Sequence, residues 1–600
     1  MHTRQSRADV PVEQTWDLSD LFVDEAAWDA EFRSLDEARQ TLARFQGQLG
    51  RDAATLLAGL DTLDALQARQ MRVSSYAYLL NAQDGTNPQH QAAAARVAAL
   101  EARMDASTSF VESEILALPG DRLQTFIAAE PGLQVFAAYL DELREQLPHR
   151  LGADTERVVA ALGEVLDAPY MVYNRSKQGD IQFAPFTDAA GTVYANSFNA
   201  FESSFELHAD AGVRRAAWAS FSAGLQAYNQ TWAATFATEV KKNVVMARLR
   251  GHASTEAYLL QKHRIPHALY TNILDIVQSG MSGHMRRYAR LRQRVLGLDC
   301  LLYCDIKAPL DPDYNPRMSY ADACGLILDA LAVMGPEYVA FARRAMESRW
   351  VDRADNVGKS SGAFCASPHG VHPYILITWS DTMRNVFTLA HELGHGGHFG
   401  LAMKHQRYLN TRPAMPFVEA PSIMNEMLLA RHILGRSQDT RMRRSVIMQV
   451  LGTYHHNFVT HLLEAELQRQ VYASAERGES ITAALLNDCK GGILAGFWGD
   501  TVHIDDGARM TWMRQPHYYM GLYPYTYSVG LVASTAMALR VHDEGEPAVQ
   551  RWLQVLKAGG TRKPLELMQM AGIDMGSPQP IHDAVAYVGR LVDELERSFA

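Results

Sequence analysis

The segment DTMRNVFTLAHELGHGGH, residues 381–398, decides the fold class and the candidate site of this chain. Its apolar residues recur at three- and four-residue spacing, which predicts a helix with one buried face. These residues are Met383, Val386, Phe387, Leu389, Ala390 and Leu393. Ser380 or Asp381 is the predicted N-cap. The helix carries one H-E-x-x-H pentad, His391 to His395.

The pentad predicts a metal site. Two histidines four residues apart lie on the same face of a helix, so both imidazoles can bind one Zn²⁺. Glu392 lies beside them as a candidate general base for metal-assisted peptide hydrolysis. The alternative is a surface helix with two solvated histidines. The buried face of the predicted helix favours the metal site.

Most of the chain has helical periodicity. Residues 24–115 are rich in Ala, Leu, Arg, Glu and Gln, as in AAWDAEFRSLDEARQTLARF, residues 26–45. The pattern breaks at residues 181–201, where short β-like pieces and turn residues occur. We therefore predict a mostly α fold, with an N-terminal helical domain over residues 1–195 and a catalytic domain over residues 196–600.

A short β element is predicted directly before the pentad helix. Residues 374–379, YILITW, are aromatic and β-branched, which is typical of a strand. As an edge strand it could pair with an extended peptide and hold the peptide over the metal. The alternative is an ordinary hairpin strand packed against the helix. The sequence favours neither.

Composition excludes several classes of protein. The net charge is −10 and no long basic block occurs, so nucleic acid is not an expected partner. The N-terminus lacks the apolar region of a secretory signal, and no run of 18 apolar residues predicts a membrane span. Five sparse cysteines indicate reduced thiols in the cytoplasm, with Cys300 and Cys304 as packing residues.

Two histidines leave a tetrahedral zinc site one protein ligand short. His398 shares the face of His391, but seven residues of helix separate them by about 10.5 Å. We therefore place His398 next to the ligands or in a substrate-binding subsite. A metzincin would have glycine at 398 and histidine at 401, where this chain has His398 and Leu401. The third ligand must come from elsewhere.

Glu419, in FVEAPS at residues 417–422, is one candidate among several nearby acids. Pro421 suits the first turn of a helix that continues through Met424 and Leu428. Glu426 follows Glu419 by seven residues on the same face and could orient a ligating imidazole. Alternatively, both glutamates are surface charges of an amphipathic helix.

HELGHGGH followed by FVEAPSIMNE resembles the thimet oligopeptidase family, and specifically its oligoendopeptidase F branch. The resemblance extends to WDLSDLF at residues 16–22 and GGTRKPLELMQMAGID at residues 559–574. It implies that Glu419 is the third zinc ligand, with His391 and His395, and that one Zn²⁺ binds per chain. It also implies an elongated body with a deep channel that admits short, unfolded peptides.

A tyrosine cluster lies in PHYYMGLYPYTYSVG, residues 516–530. Phenol and imidazole donors suit a tetrahedral oxyanion, although an aromatic core segment is the simpler interpretation. The resemblance implies a catalytic role for a histidine and a nearby tyrosine, which we assign to His517 and Tyr525. Tyr523 is the alternative, with a predicted substrate-binding role.

Two further features have structural alternatives. Gly394 could allow either a close backbone approach near the metal or tight helix packing. His455, His456 and His461 lie in a separate helical run, and we interpret them as structural.

Together these features predict a cytoplasmic, zinc-dependent metalloendopeptidase that cleaves oligopeptides. A carboxypeptidase or dipeptidyl carboxypeptidase on the same scaffold remains open, as does a metal-free peptide-binding protein. The exopeptidases would need a cationic group for the substrate's C-terminal carboxylate. The sequence carries no signal for an oligomeric state.

Overall fold

A computed structural model describes residues 4–600, and the chain is mostly α-helical with two small sheets. The predicted fold class is confirmed. The first helices in the chain are α1 (Glu25–Ala43), α2 (Ala53–Gln83), α3 (Pro88–Ala117), α4 (Gly120–Ala129), α5 (Ala137–Glu145), α6 (Ala153–Ala161), α7 (Gly163–Arg175), α8 (Phe198–Ser203), α9 (Ala211–Leu249), α10 (Thr255–Gln261), α11 (His267–Val295), α12 (Tyr320–Leu331) and α13 (Pro336–Glu347).

The remaining helices are α14 (Met383–His405), α15 (Met415–Arg436), α16 (Thr440–His455), α17 (His461–Glu476), α18 (Ala483–Trp498), α19 (Asp506–Arg509), α20 (Pro524–Glu544), α21 (Glu546–Ala558), α22 (Pro564–Met570) and α23 (Gln579–Ser598). The strands are β1 (Phe186–Thr187), β2 (Val193–Tyr194), β3 (Val351–Asp352), β4 (Phe364–Ala366) and β5 (Tyr374–Leu376). Among the described residues, no helix is long and apolar enough to cross a membrane.

The chain folds into two compact units. The first comprises the residues up to Pro148 together with Pro316–Arg436 and Met537–Ile573. The second comprises His149–Asn315, Ser437–Ala536 and Asp574–Ala600. The predicted domain boundary between residues 195 and 196 was drawn from the sequence pattern alone, and it stays a prediction.

The first unit is built on helices α1 to α5 and a three-stranded sheet. One hydrophobic cluster joins side chains of these helices, such as Trp28 and Leu60, to Tyr374 and Leu376 of β5. Trp16, from WDLSDLF, is 3% exposed and packs edge-on against Tyr374. The N-terminal segment and the sheet therefore share one core, and the sheet is a fixed platform in this unit.

The sheet has the strand order β3-β5-β4, with β5 antiparallel to β4 and parallel to β3. β5 is thus the central strand, and the prediction that this segment forms an edge strand is wrong. The alternative, a hairpin strand, is confirmed, because β4 and β5 form an antiparallel pair in which Cys365 opposes Ile375. The strand proper covers residues 374–376, and the backbone N–H groups of Ile377 and Trp379 donate further hydrogen bonds to the carbonyl oxygens of Asp352 and Arg353. β3 and β4 are the two edge strands of the sheet.

The pentad helix α14 begins one residue later than the Asp381 cap predicts and two later than the Ser380 cap predicts. Thr382 is its N-cap and accepts the backbone N–H of Asn385. Asp381 has a positive φ of 53°, and its carboxylate accepts the indole N–H of Trp379 instead. The Ser380 hydroxyl bonds the Asn385 side chain. The side chains of Ser380 and Asp381 are thus bonded to other partners, and Thr382 caps the helix instead of either of them.

The second unit packs its core around the long helices α9 and α11. Trp232 of α9 is fully buried and donates its indole N–H to Ser176, and Tyr270 of α11 is also fully buried. A π-helical turn at His456–Thr460 separates α16 from α17. The sequence does not reveal this turn, because the apolar pattern continues through it.

Candidate metal centre and active site

Helices α14 and α15 bring three potential metal ligands together. His391 and His395 lie one turn apart on α14, and Glu419 lies in the second turn of α15. The Glu419 Oε2 atom is 3.4 Å from His391 Nε2 and 3.5 Å from His395 Nε2. All three side chains are partly accessible, so the group can exchange a ligand with solvent.

The distances fit an ion better than direct hydrogen bonds. N–H···O hydrogen bonds are about 2.7–3.2 Å long, which is shorter than both separations. Two ligands at about 2.0–2.1 Å from a tetrahedral ion lie roughly 3.3–3.4 Å apart. The His₂Glu donor set is also that of a catalytic zinc site with one open position. The three residues therefore fit a divalent cation of the zinc type.

Glu426 holds His391 in place. Its Oε1 accepts a hydrogen bond from His391 Nδ1 at 2.7 Å. Because Nδ1 carries the proton, Nε2 keeps its lone pair for a metal. This is the contact that the seven-residue spacing between Glu419 and Glu426 predicts.

Glu392 lies beside the ligands and is almost completely buried. It is 5% exposed, and its Oε2 has no hydrogen-bond partner among the described residues. Burial raises the pKa of Glu392, opposed by the two neighbouring histidines. An unpaired buried carboxylate with a raised pKa is suited to accept a proton.

The ligands perturb one another strongly. Burial opposes charge on His391, but the carboxylates of Glu419 and Glu426 outweigh it and raise its pKa well above the usual range. Burial would raise the pKa of Glu419, yet the two histidines hold it well below its usual range. A cation that binds here would displace the proton from His391, because imidazole ligates in its neutral form.

Gly394 explains how Glu419 reaches the histidines. A Cβ atom at position 394 would lie 2.5 Å from the carbonyl oxygen of Pro421 and 2.5 Å from Cα of Ser422. Only a residue without a side chain permits this approach of α14 and α15. Both predicted alternatives therefore hold, since the close backbone approach and the helix packing are the same contact.

Pro421 lies inside α15, which begins at Met415, so the prediction that it occupies the first turn is wrong. Ser422, the next residue, donates its hydroxyl to the carbonyl oxygen of Glu419 at 2.8 Å and to Glu419 Oε2 at 3.1 Å. Asn425 donates to the carbonyl oxygen of Ala390 at 3.0 Å and ties the two helices together. Sequence reasoning assigned no role to Ser422 or Asn425, although both lie in the quoted motif.

The edge strand β4 lies against α14. A Cβ atom at Gly396 would be 3.6 Å from Cys365 Sγ, and the charge of Glu392 contributes to raising the pKa of Cys365, after burial. The unpaired edge of the sheet therefore runs close to the candidate base. Sequence reasoning considered the edge position only for β5, as one of two open alternatives.

His398 is completely buried. Its ring stacks on Phe399 and meets Phe417 edge-on, and neither ring nitrogen has a hydrogen-bond partner among the described residues. Burial lowers its pKa to about 3. A completely buried side chain cannot contact a peptide, so the geometry does not favour the predicted substrate-binding role.

His461, Glu464 and His517 form a second group of potential ligands in the second unit, with atoms within 4.8 Å of one another. His461 Nδ1 lies 2.8 Å from Glu464, and its Nε2 lies 3.0 Å from His456 Nε2. These are hydrogen-bond lengths, shorter than the roughly 3.3–3.4 Å between two ligands of a tetrahedral ion. The geometry therefore favours the structural interpretation of His456 and His461.

The tyrosine cluster divides into two faces. Tyr523 is partly exposed, and its ring lies 5.2 Å from that of His517. Tyr525 is 0% exposed, and its hydroxyl lies 3.0 Å from His263 Nδ1. Because Tyr525 is shielded and already bonded, Tyr523 is the more accessible donor of the two. The roles predicted for both stay predictions.

Comparison with known proteins decides the family. The sequence model described as "Peptidase family M3" matches residues 205–587, and the one described as "Oligopeptidase F" matches residues 114–183. The chain belongs to peptidase family M3. The resemblance predicted from HELGHGGH and FVEAPS is confirmed, and this M3 chain is a metallopeptidase that acts on peptides.

Similar proteins match this M3 chain over nearly its whole length. Oligopeptidase PepF of Bacillus subtilis is 30% identical over 594 residues, 98% of this chain and 88% of the relative. Group B oligopeptidase PepB of Streptococcus agalactiae is 27% identical, over 99% of this chain and 98% of the relative. The crystal structure of oligoendopeptidase-F from Enterococcus faecium has a TM-score of 0.74 at 25% identity and covers 95% of this chain and 98% of that chain.

Proposed function

We propose that the chain is a zinc-dependent endopeptidase that hydrolyses short, unfolded oligopeptides in the cytosol. The observation that carries this proposal is the spacing of His391, His395 and Glu419, with the buried carboxylate of Glu392 beside them. The names of the similar proteins support oligopeptides as substrates. The sparse cysteines favour a reducing compartment.

His391, His395 and Glu419 would hold one zinc ion per chain. When bound, zinc supplies a lowered pKa for an attacking water and polarises the scissile carbonyl. Glu426 keeps the His391 imidazole in the tautomer that ligation requires, and Ser422 orients the Glu419 carboxylate.

Glu392 moves the proton. Its unpaired Oε2 accepts the proton of the attacking water and later passes it to the amine of the leaving peptide. Burial favours the protonated form that is needed for the second step, while the nearby cationic groups favour the ionised form needed for the first. A carboxylate between these two influences can serve as base and then as acid.

The free edge of β4 is our candidate for positioning the substrate. Residues 364–366 end the sheet, so an extended peptide can add a strand there through main-chain hydrogen bonds. Cys365 places this edge close to Glu392. Recognition through the main chain suits a peptidase that accepts varied side chains.

One experiment tests the proposed function. The purified protein is incubated with internally quenched peptides that are blocked at both ends, with and without a chelator. We expect cleavage, loss of cleavage with the chelator and recovery on addition of Zn²⁺, with about one ion per chain by elemental analysis. Cleavage only of peptides that have a free C-terminal carboxylate would indicate a carboxypeptidase, and no cleavage with bound peptide would indicate a binding protein.

The tyrosine roles are tested by two matched variants. We expect Tyr523→Phe to lower kcat by about 10²–10³ with little change in KM, as for loss of one oxyanion donor. Tyr525→Phe should change kcat much less, because its hydroxyl is buried against His263. Steady-state kinetics on one quenched peptide separates the two. A larger loss of kcat in Tyr525→Phe than in Tyr523→Phe would support the catalytic role that the sequence analysis gives Tyr525. His517→Ala tests the predicted catalytic histidine in the same assay.

A further inference from the structure

A cavity of about 520 Å³ lies in the first unit between β4 and helices α2 and α3. Its size is typical of ligand pockets, which measure about 300–1,000 Å³. Aromatic, hydroxyl and charged side chains line it; they include Tyr78, Phe364, Ser74, Ser367, Glu101 and Arg412. Because β4 forms one wall, a peptide paired with this edge would pass along the cavity.

Arg412 is the cation in this wall without a carboxylate partner. It is exposed, and among residues 4–600 no carboxylate lies within 4.0 Å of its guanidinium. The guanidinium lies 5.5 Å from the ring centre of Phe399. An arginine stays charged, and its fork of N–H donors matches a carboxylate in two parallel hydrogen bonds. The side chain is thus available for an acidic ligand.

The other charged side chain in the wall is that of Glu101. Glu101 accepts a hydrogen bond from the hydroxyl of Ser74 at 2.7 Å. The cavity therefore presents an acid that is bonded to a neighbouring hydroxyl and an exposed arginine that has no carboxylate partner.

Arg412 is also close to the metal centre. The ring of the candidate ligand His395 lies 6.4 Å from that of Phe399, on which Arg412 packs at 5.5 Å. The guanidinium is therefore no further from the imidazole than the sum of these distances. At roughly 3.3 Å per residue, this spans about three or four residues of an extended peptide.

Cys365 of β4 connects the two charges. It lines the same cavity as Arg412, and its Sγ lies 3.6 Å from the position of a Cβ atom at Gly396, on the helix that carries Glu392. A peptide on the β4 edge would therefore have the candidate base and the free cation along the same short stretch.

We propose that Arg412 binds a carboxylate of the peptide substrate within about four residues of the cleaved bond. This assignment rests on the proposed function and adds to it a determinant of specificity. The carboxylate has two possible sources, the C-terminus of a short peptide and the side chain of an aspartate or glutamate. Both offer the same two oxygens to the guanidinium.

The test compares wild type, Arg412→Gln, Arg412→Glu and Arg407→Gln. Arg407 is a matched control, because it precedes α15 on the same connection but pairs with Asp61 at 2.7 Å. The substrates are quenched peptides of one sequence in which a single glutamate or glutamine is moved along the chain, each made as the free acid and as the C-terminal amide.

We expect wild type to favour a carboxylate at one distance from the cleaved bond by about 10- to 100-fold in kcat/KM, as for a charge-assisted hydrogen-bonded pair. Arg412→Gln should bring this ratio close to one, and Arg412→Glu should reverse it, so that the peptide without the carboxylate at that distance is cleaved faster. Arg407→Gln should keep the wild-type ratio. A preference for glutamate over glutamine identifies a side chain, and a preference for acid over amide identifies the C-terminus.

Two results would overturn the assignment. One is a wild-type enzyme that cleaves all these peptides with the same kcat/KM, and the other is an Arg412→Gln variant that keeps the preference. Equal zinc content in all variants would show that the metal site is intact. If wild type cleaves none of the peptides, the proposed function itself fails, which is a different outcome.

Discussion

Glu392→Gln is expected to abolish peptide hydrolysis while zinc remains bound. The amide keeps the shape of the side chain but cannot take the proton of the attacking water. General acid–base catalysis contributes about 10²–10⁴ to the rate, so kcat should fall by at least that factor. The measurement is steady-state turnover of a quenched peptide together with the zinc content of the same preparation.

A surface glutamate provides the control for this variant. Glu337 of α13 lies in the same unit and pairs with Lys404 at 3.0 Å and with Lys557 at 3.3 Å. Glu337→Gln should leave turnover unchanged, since such exposed pairs contribute little. Near-wild-type turnover of Glu392→Gln would contradict the proposed mechanism. Loss of zinc from Glu392→Gln would instead give Glu392 a role in metal binding.

Glu419→Ala is expected to lose zinc, and activity with it. This substitution removes one of three protein ligands and leaves the two histidines with too few partners to hold the ion tightly. Glu426→Ala should weaken zinc binding by about 10–100-fold, the usual cost of losing a group that orients a ligand. Competition with a chromophoric chelator over a range of free zinc concentrations gives both affinities.

The order of the two affinities is the decisive result. Wild type should bind most tightly, Glu426→Ala less tightly and Glu419→Ala least. If Glu419→Ala kept full zinc affinity while Glu426→Ala lost it, Glu426 would be the ligand and Glu419 the orienting group. Thermal unfolding of all three proteins with saturating chelator controls for effects on the fold itself.

The pentad was predictable because its chemistry is local. Two histidines four residues apart on a helix must share a face, and nothing elsewhere in the chain changes that. Glu419 is different, since it lies 24 residues after His395 on another helix. Spacing alone left it among several acids, and only the family resemblance selected it. The close approach at Gly394 that brings it into place depends on tertiary packing.

The sequence did not reveal which tyrosines of residues 523–527 lie on the same face of α20. α20 begins at Pro524, so Tyr523 and Tyr527 lie four residues apart on one face, and their hydroxyls are 3.5 Å apart. Tyr525 points to a different face of the helix and into the core. A proline at the first position of a helix is a recognisable start signal, and applying it would have separated these tyrosines.

The position of β5 in the sheet stayed open for a related reason. A three-residue strand has too little sequence to reveal its neighbours, so the central position of β5 could not be distinguished from an edge. Pairing order depends on residues 351–352 and 364–366, which are remote or separated by a turn. Only their three-dimensional arrangement shows that β3 and β4 are the edge strands and β5 the central one.

The placement of the ligands on two different helices couples metal occupancy to folding. An ion that binds only the native packing of α14 and α15 stabilises that state by mass action, by about 2.7 kcal/mol when its free concentration is 100 times the dissociation constant. The ion would then stabilise the packing of α14 against α15 in addition to taking part in catalysis. Under zinc starvation the enzyme would lose rigidity together with activity, and the lifetime of the chain would follow the supply of metal.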